Sequence, residues 1–484
     1  MTAEGITLQH PNGTLLKNVP TGLFINNTFV PSQTGDELVS VDPNTGAELC
    51  RVSEAGAADV DAAVSAATAA FQSWSETSAS TRGRLLYKLA DLLERDRVFF
   101  ELLESLDSGK LMQQVREDID LTLSDLRFFA GCADKNDGAV KDIGPDSLVY
   151  TRHEAFGVVG LILPWNYPLQ ILGWKLSPAV VSGNTVVIKT SEKTPLSALK
   201  FCELVVEAGF PPGVVNVLSG SGRVGDALAR HMAVQKVAFT GSSATGRKVM
   251  AAAAESNLKS VSLELGGKSP MIIFSDADLD LAVSSCVSGF TSNAGQVCCA
   301  TTRIYVHSDI HDAFVAQLQQ AVSSLKVGAN HDPSTELGPL VDKIQFDRVL
   351  SYIQLGKESG AKVLTGGFHL QPTVFIGCTQ DMRIVNEEIF GPVLCVLKFD
   401  TLDQVIQLAN DSPYGLAAAV FTKDMSTSVK CVNALKAGTV WVNGFGNGAS
   451  PVPFGGYKQS GFGKDSGKEA LATYTQTKAV WMNL

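Results

Sequence analysis

The run Asn293-Ala-Gly-Gln-Val-Cys-Cys-Ala-Thr-Thr-Arg303 sets a thiol, Cys298, among small and hydrogen-bonding residues. A cysteine thiol is already partly ionised near neutral pH, and its thiolate is the form that attacks an electrophilic carbon. Glu264, in Leu263-Glu-Leu-Gly-Gly-Lys-Ser-Pro270, lies 34 positions earlier and offers that nucleophile a base. Its leucine neighbours would partly desolvate it and raise its pKa toward a useful range. The glycines that follow, Gly266 and Gly267, allow backbone to approach closely and let a side chain swing. A third run, Pro164-Trp-Asn-Tyr-Pro168, holds the amide of Asn166 between two prolines. Each has a bland reading on its own. A lone cysteine is usually a small buried hydrophobe, an Asn between prolines serves a turn, and a Glu at a strand end makes a salt bridge. In order and at this spacing, the three favour a nucleophile with its helpers.

Composition narrows the rest. The nine cysteines are scattered, with no CxxC pair and no His-rich cluster, so no metal is expected. They read as free thiols in a reducing, cytoplasmic setting. The N-terminus lacks a basic then apolar signal sequence, and no Arg-rich presequence precedes Gly22. The net charge of −10 argues against nucleic acid and an anionic membrane surface. No apolar run reaches the ~18–20 residues that span a bilayer. None of the seven histidines falls in the three runs, which weighs against a cysteine hydrolase.

A chain of 484 residues exceeds what a single core usually supports, about 250–300. Residues 57–74 read as an Ala-rich helix, and 82–106 as one helix with a Leu85, Leu86, Leu89, Leu92, Leu93 stripe. From about Pro145 strands and helices alternate. Expected strands are 156–163, 185–189, 214–218 and 236–240, with helices over 174–181, 196–208 and 225–232. A second alternating block has strands expected at 271–274, 303–307, 361–364, 393–399, 418–422 and 439–443. Short β-branched runs separated by helices imply parallel strands and doubly wound sheets. Two α/β units meeting near Leu265 follow. The tail, 473–484, alternates as an edge strand does and needs a partner.

The three runs, with matching residues from about Gly22 to the C-terminus, resemble the NAD(P)-dependent aldehyde dehydrogenases, and Pro20-Thr-Gly-Leu-Phe-Ile-Asn-Asn27 looks like cytosolic fungal members. The resemblance implies two doubly wound α/β domains plus a small β oligomerisation element. The first is a Rossmann-like NAD-binding domain (1–136 and 156–265), and the second a thiol-bearing catalytic domain (266–460). Residues 137–155 and 473–484 would form the oligomerisation element, the tail pairing across subunits with a hairpin near 140–153 to give a homo-dimer or homo-tetramer. It further implies that Cys298 attacks an aldehyde, that Asn166 and the Cys298 N–H meet the oxyanion, and that Glu264 activates water against the thioester. Lys175 would join a proton path.

For the cofactor, the resemblance points to Ile162, Trp165, Lys189, Glu192, Gly222, Gly225, Phe239, Gly241, Ser242, Gly246, Leu265, Glu388 and Phe390. Gly220-Ser-Gly-Arg-Val-Gly225 fits GxGxxG. The family nevertheless places that turn near the adenosine, and gives the pyrophosphate to the loop 239–246, with Ser242 donating at a helix N-terminus. Ala244 stands there where many members carry Glu. Glu192 beside Lys189 would hold the adenosine ribose and repel a 2′-phosphate, favouring NAD over NADP, although Lys193 is adjacent. Tyr167, Ile171, Trp174, Val297, Cys299 and Phe454 would line the substrate tunnel. Gly448, where many members have an aromatic, would widen it for a neutral apolar or aromatic aldehyde such as indole-3-acetaldehyde or phenylacetaldehyde. Amino- or short-chain aliphatic aldehydes are the alternative class. An acylating enzyme would not need Glu264, and a silent relative would have lost one of the three residues. Asp465 and Gln476 stand where relatives often carry Glu.

Overall fold

The computed structural model describes residues 5–365 and 371–484; residues 1–4, the start of the stretch read for a signal sequence, lie outside it. Its core is two sheets. The first has eight strands in the order Gly461–Phe462, Ser260–Glu264, Val234–Thr240, Val158–Ile162, Thr185–Thr190, Val215–Ser219, Leu23–Ile25 and Thr28–Val30. The central five run parallel. Every residue of Val158–Ile162 and Val215–Ser219 is buried, as expected of parallel strands covered on both faces. In chain order the five lie 5-4-1-2-3, so the order reverses between Val158–Ile162 and Val234–Thr240. Ligands of such sheets bind outside the carboxyl ends of the strands at that reversal. The GxGxxG turn follows the third strand, away from the reversal, whereas the loop after Thr240 sits on it.

The second sheet has seven strands, in the order Lys362–Thr365, Thr373–Ile376, Val393–Phe399, Thr301–His307, Ser269–Ile273, Ala417–Phe421 and Thr439–Val442. All neighbours are parallel except the first pair. Only four residues separate Glu264, the last of the first sheet's strand, from Ser269, the first of the second's. The short connection brings the carboxyl rim of one sheet to the amino rim of the other.

Two expectations need correction, and one helix escaped the sequence reading. The helix expected over 82–106 is two, Ala79–Arg95 and Arg97–Ser108. Asp96 leaves helical geometry between them (φ −99°, ψ 12°), and its carboxylate is held by Arg95 at 2.7 Å. The Leu stripe continues across that break, which is why periodicity alone did not show it. The tail strand, Thr475–Asn483, pairs antiparallel with Ser147–Ala155 of the same chain, not with another subunit. Its nine-residue register fills one edge of the strand. The 21-residue helix Met112–Cys132 was not anticipated, its apolar face being diluted by acidic residues, two of which, Asp118 and Asp125, are buried. Among the described residues no helix is long and apolar enough to cross a membrane.

Candidate active site

Cys298 owes its position to a left-handed turn. The helix Leu279–Thr291 ends at Ser292, and Asn293 (φ 46°), Ala294 (φ 53°) and Gly295 (φ 72°) follow with positive φ. Non-glycine residues there carry strain of roughly 1–3 kcal/mol each unless the surroundings over-determine them. Here they do. Asn293 Nδ2 donates to the Asn166 carbonyl at 3.0 Å, and Asn166 Nδ2 donates to the Gln296 carbonyl at 2.9 Å. Gln296 returns a bond to the Asn293 carbonyl at 2.9 Å and accepts one from the Val341 N–H at 2.9 Å. The small polar residues that drew attention to this run are therefore its clamps.

Gly266 and Gly267 serve close approach. A Cβ on Gly266 would stand 2.0 Å from Glu388 Oε2, and one on Gly267 would stand 2.6 Å from the Cys298 carbonyl oxygen. Glycine at both positions lets the chain after Glu264 touch the Cys298 loop and the Glu388 carboxyl at once.

These residues open on a cleft of about 690 Å³ between the two sheets. Asn166, Tyr167, Ile171, Glu264 and Cys298 share its lining with Ile162, Trp165, Lys189, Glu192, Gly222, Gly225, Phe239, Gly241, Ser242, Glu388 and Phe390. Trp165 and Phe390 meet edge to face, their centroids 5.2 Å apart. Lys189 lies 3.4 Å from Glu192, and Lys193 pairs with Asp342 at 2.7 Å, its Nζ 5.2 Å from the Trp165 ring centroid. The Ser242 hydroxyl caps its own helix, accepting from the Thr245 N–H at 3.2 Å and standing 3.0 Å from Thr245 Oγ1.

The other sequence-derived residues lie behind this lining. Leu265 packs beneath Gly246, where a Cβ would stand 2.8 Å from it. Trp174 and Phe454 stack at 5.4 Å, and Phe454 exchanges backbone bonds of 2.7 and 2.9 Å with Asp465. Val297 and Cys299 flank Cys298, half-buried. Gly448 is exposed, with no atom within 4 Å of a Cβ placed there. Lys175 is buried and paired with Asp465 at 2.7 Å.

Sequence reasoning missed the cleft's far wall. Gln345 Nε2 donates to the Phe390 carbonyl at 2.7 Å, and Arg348 donates to the Glu388 carbonyl at 2.9 Å, both from the helix Lys343–Glu358. No local pattern marks them, because their partners lie some 40 residues away. Thr240 Oγ1, also on the cleft, is buried without a hydrogen-bond partner.

Burial governs the electrostatics. Neither carboxyl oxygen of Glu264 has a hydrogen-bond partner. Burial, reinforced by the Asp465 charge, pushes its pKa well above the usual carboxylate range, against the pull of Lys175 and Lys464. Glu388, which accepts from the Gly267 N–H at 3.2 Å, is pushed up to about 7 by burial. The adjacent Cys298 and Cys299 thiols act on each other's ionisation, Cys298 being raised and Cys299 lowered. They therefore share one ionisation. Cys299, burial and the nearby Glu388 and Glu264 carboxylates all raise Cys298. A thiol, an amide donor and a buried carboxyl thus meet in one cleft, a constellation suited to covalent acyl chemistry.

The comparisons agree with that geometry. The model of the aldehyde dehydrogenase family matches residues 29–480. An aldehyde dehydrogenase of Davidiella tassiana is 50% identical, over 96% of this chain and 96% of that one. A solved aldehyde dehydrogenase of Bacillus cereus in complex with NAD+ is similar at a TM-score of 0.94 and 46% identity, covering 96% of this chain and 97% of that one. An indole-3-acetaldehyde dehydrogenase of P. syringae, with NAD+ and IAA, is similar at a TM-score of 0.95 and 42% identity, covering 96% and 97%. With nearly its whole length matched in sequence and in fold, this chain belongs to the aldehyde dehydrogenase family.

Proposed function

We propose that the chain oxidises a neutral apolar or aromatic aldehyde to its carboxylic acid with NAD, using Cys298 as nucleophile. The observation that carries this is the meeting of Cys298, Asn166, Glu264 and Glu388 on one cleft. The residues present fit the cofactor. Gly222 leaves open space, Thr240 Oγ1 is an orphaned polar atom, and the cleft lies at the reversal of strand order. Glu388 and the Trp165–Phe390 pair would hold the nicotinamide end, and Lys189 with Glu192 the adenosine ribose. When bound, NAD supplies a hydride acceptor. Glu192 disfavours a 2′-phosphate by charge, and Lys193 is already committed to Asp342.

The chain's own residues do the rest. The Cys298 thiolate adds to the aldehyde carbon, and the new oxyanion takes its donors from the Cys298 N–H and Asn166. Asn166 spends one N–H on the Gln296 carbonyl, which aims the second at the oxyanion. Removing such a donor typically costs roughly 10²–10³ in rate. After oxidation a thioester remains on Cys298. Glu264 takes the proton of the attacking water, and the Lys175–Asp465 pair beside it offers a path for that proton.

The Trp174–Phe454 stack supports a bulky aromatic substrate, as does similarity to an indole-3-acetaldehyde dehydrogenase. A second reading, an amino-aldehyde, rests on the Glu117 charge felt at the Tyr167 phenol, Asp118 being already paired with Lys110. Nine free thiols support a reducing compartment such as the cytoplasm. Exposed Trp481, Leu484 and Val140 on the small sheet, with the open edge of Thr475–Asn483, support a dimer or tetramer. The test is NADH formation across a panel from acetaldehyde through hexanal, phenylacetaldehyde and indole-3-acetaldehyde to betaine aldehyde and an amino-aldehyde. Best turnover with the aryl aldehydes, abolished in Cys298→Ala, is expected. Preference for the cationic members would replace the aromatic reading with the second.

A further inference from the structure

Behind the cleft wall at Tyr167 lies a buried ion pair that no step of the reaction uses. The turn after the helix Arg97–Ser108 passes through Gly109, left-handed at φ 76°, where a Cβ would stand 2.7 Å from Pro43. Lys110 follows it inward and is 2% exposed. Its carbonyl is pinned, accepting from Ser105 Oγ at 2.8 Å and from Asn330 Nδ2 at 3.0 Å. Its ammonium pairs with the buried carboxylate of Asp118, on the helix Met112–Cys132. The same ammonium lies over the Tyr167 ring, with Nζ 3.4 Å from the centroid. Tyr167 in turn shares the cleft lining with Asn166, Ile171 and Cys298.

A buried ion pair adds little stability over an apolar one of the same volume, so its place under Tyr167 is the feature that calls for a role. The face of an aromatic ring is negative and its edge positive, which is why cations are held at faces. A cation at 3.4 Å fills one face. An occupant of the cleft therefore meets Tyr167 from the opposite face or from the edge. The edge is positive already, and the opposite face has an ammonium across the ring. A cationic head gains nothing there, whereas a neutral alkyl or aryl group keeps its full apolar contact.

We propose that Lys110 is a specificity-determining residue, which sets the aldehyde site against cationic aldehydes by holding a fixed charge on the inner face of Tyr167. This rests on the reading above that Tyr167 lines the aldehyde end of the cleft. Lys110 acts through the ring and not on the reacting atoms. The Glu117 charge felt at the Tyr167 phenol pulls the other way, and Lys110 is the group that offsets it. Two unit charges about 7 Å apart across a ring repel, at an effective dielectric of about 20, by a factor of roughly several tens. The Asp118 carboxylate beside the ammonium cancels part of this, leaving about threefold to tenfold.

The experiment compares betaine aldehyde with tert-butylacetaldehyde, which have the same shape and differ by one charge. NADH formation gives kcat/KM for each in the full-length wild type, in Lys110→Met and in Lys110→Met/Asp118→Leu. The double variant leaves no stranded carboxylate, so it carries the test if the single one does not fold. Wild type should favour the neutral aldehyde. Lys110→Met should move the ratio about threefold to tenfold toward betaine aldehyde, chiefly through KM. The double variant should move it the same way by a smaller factor, because the ammonium is the member against the ring. A merely structural role would slow both aldehydes alike and leave the ratio fixed. A fixed ratio in the double variant, or wild-type preference for betaine aldehyde, would overturn the proposal while the dehydrogenase reading stands. NADH from neither aldehyde in the wild type would overturn both.

Discussion

Replacing Glu264 by Gln should separate the two halves of the reaction. The carboxyl is buried and makes no hydrogen bond, so an amide of the same shape breaks none, and stability should change by less than about 1 kcal/mol. The kinetic cost is different in kind. A positioned general base is worth typically 10²–10⁴ in rate, or about 3–5 kcal/mol of barrier. That cost should fall on thioester hydrolysis, the step in which Glu264 takes the proton of the attacking water. Rapid mixing with excess aldehyde and NAD should give a burst of NADH approaching one per active site, then turnover slowed by that factor. The pH dependence has a sign. Because burial raises Glu264 well above the carboxylate range, its basic form is populated only as pH rises, so the hydrolytic step should speed up with pH through neutrality. The Gln variant should lose that rise. Wild-type turnover in the variant, loss of the burst itself, or a flat pH profile for wild-type hydrolysis would refute the assignment.

Other outcomes follow from single contacts. Lys175→Met strands the buried Asp465 carboxylate, and chemical unfolding should show a loss of about 3–5 kcal/mol, partly recovered when Asp465→Leu is added. Gln345→Ala frees the Phe390 carbonyl and should raise the KM for NAD about threefold to tenfold while leaving aldehyde KM nearly unchanged, by steady-state kinetics. Glu192→Gln removes one like charge from the expected 2′-phosphate position and should improve NADP relative to NAD by about threefold to tenfold in kcat/KM. Trp481→Glu on the exposed small sheet should lower the assembled mass measured by sedimentation.

The residues legible in the sequence were those whose chemistry and support lie within one short run. Cys298 carries its clamps Asn293 and Gln296 beside it, and Glu264 carries Gly266 and Gly267. Parallel strands were legible because burial on both faces leaves an unbroken apolar run, as in Val158–Ile162. What escaped depends on distance. Gln345 and Arg348 gain meaning only through carbonyls some 40 residues on, and Asp465 only through Lys175, 290 residues away. The break at Asp96 was hidden because the Leu stripe resumes in phase after it. The expectation at Gly448 met a different limit. A missing side chain shows where an aromatic is absent, and the exposed backbone there shows that the space opens to solvent.

The central claim is that Cys298 carries the acyl group. Glu264→Gln protein mixed with NAD and phenylacetaldehyde, quenched in acid and mapped by mass spectrometry, tests it most directly. The account predicts one acyl group per chain on the peptide containing Cys298, lost on Cys298→Ala. An acyl group on Cys299 or any other cysteine, or none while NADH is formed, would contradict it.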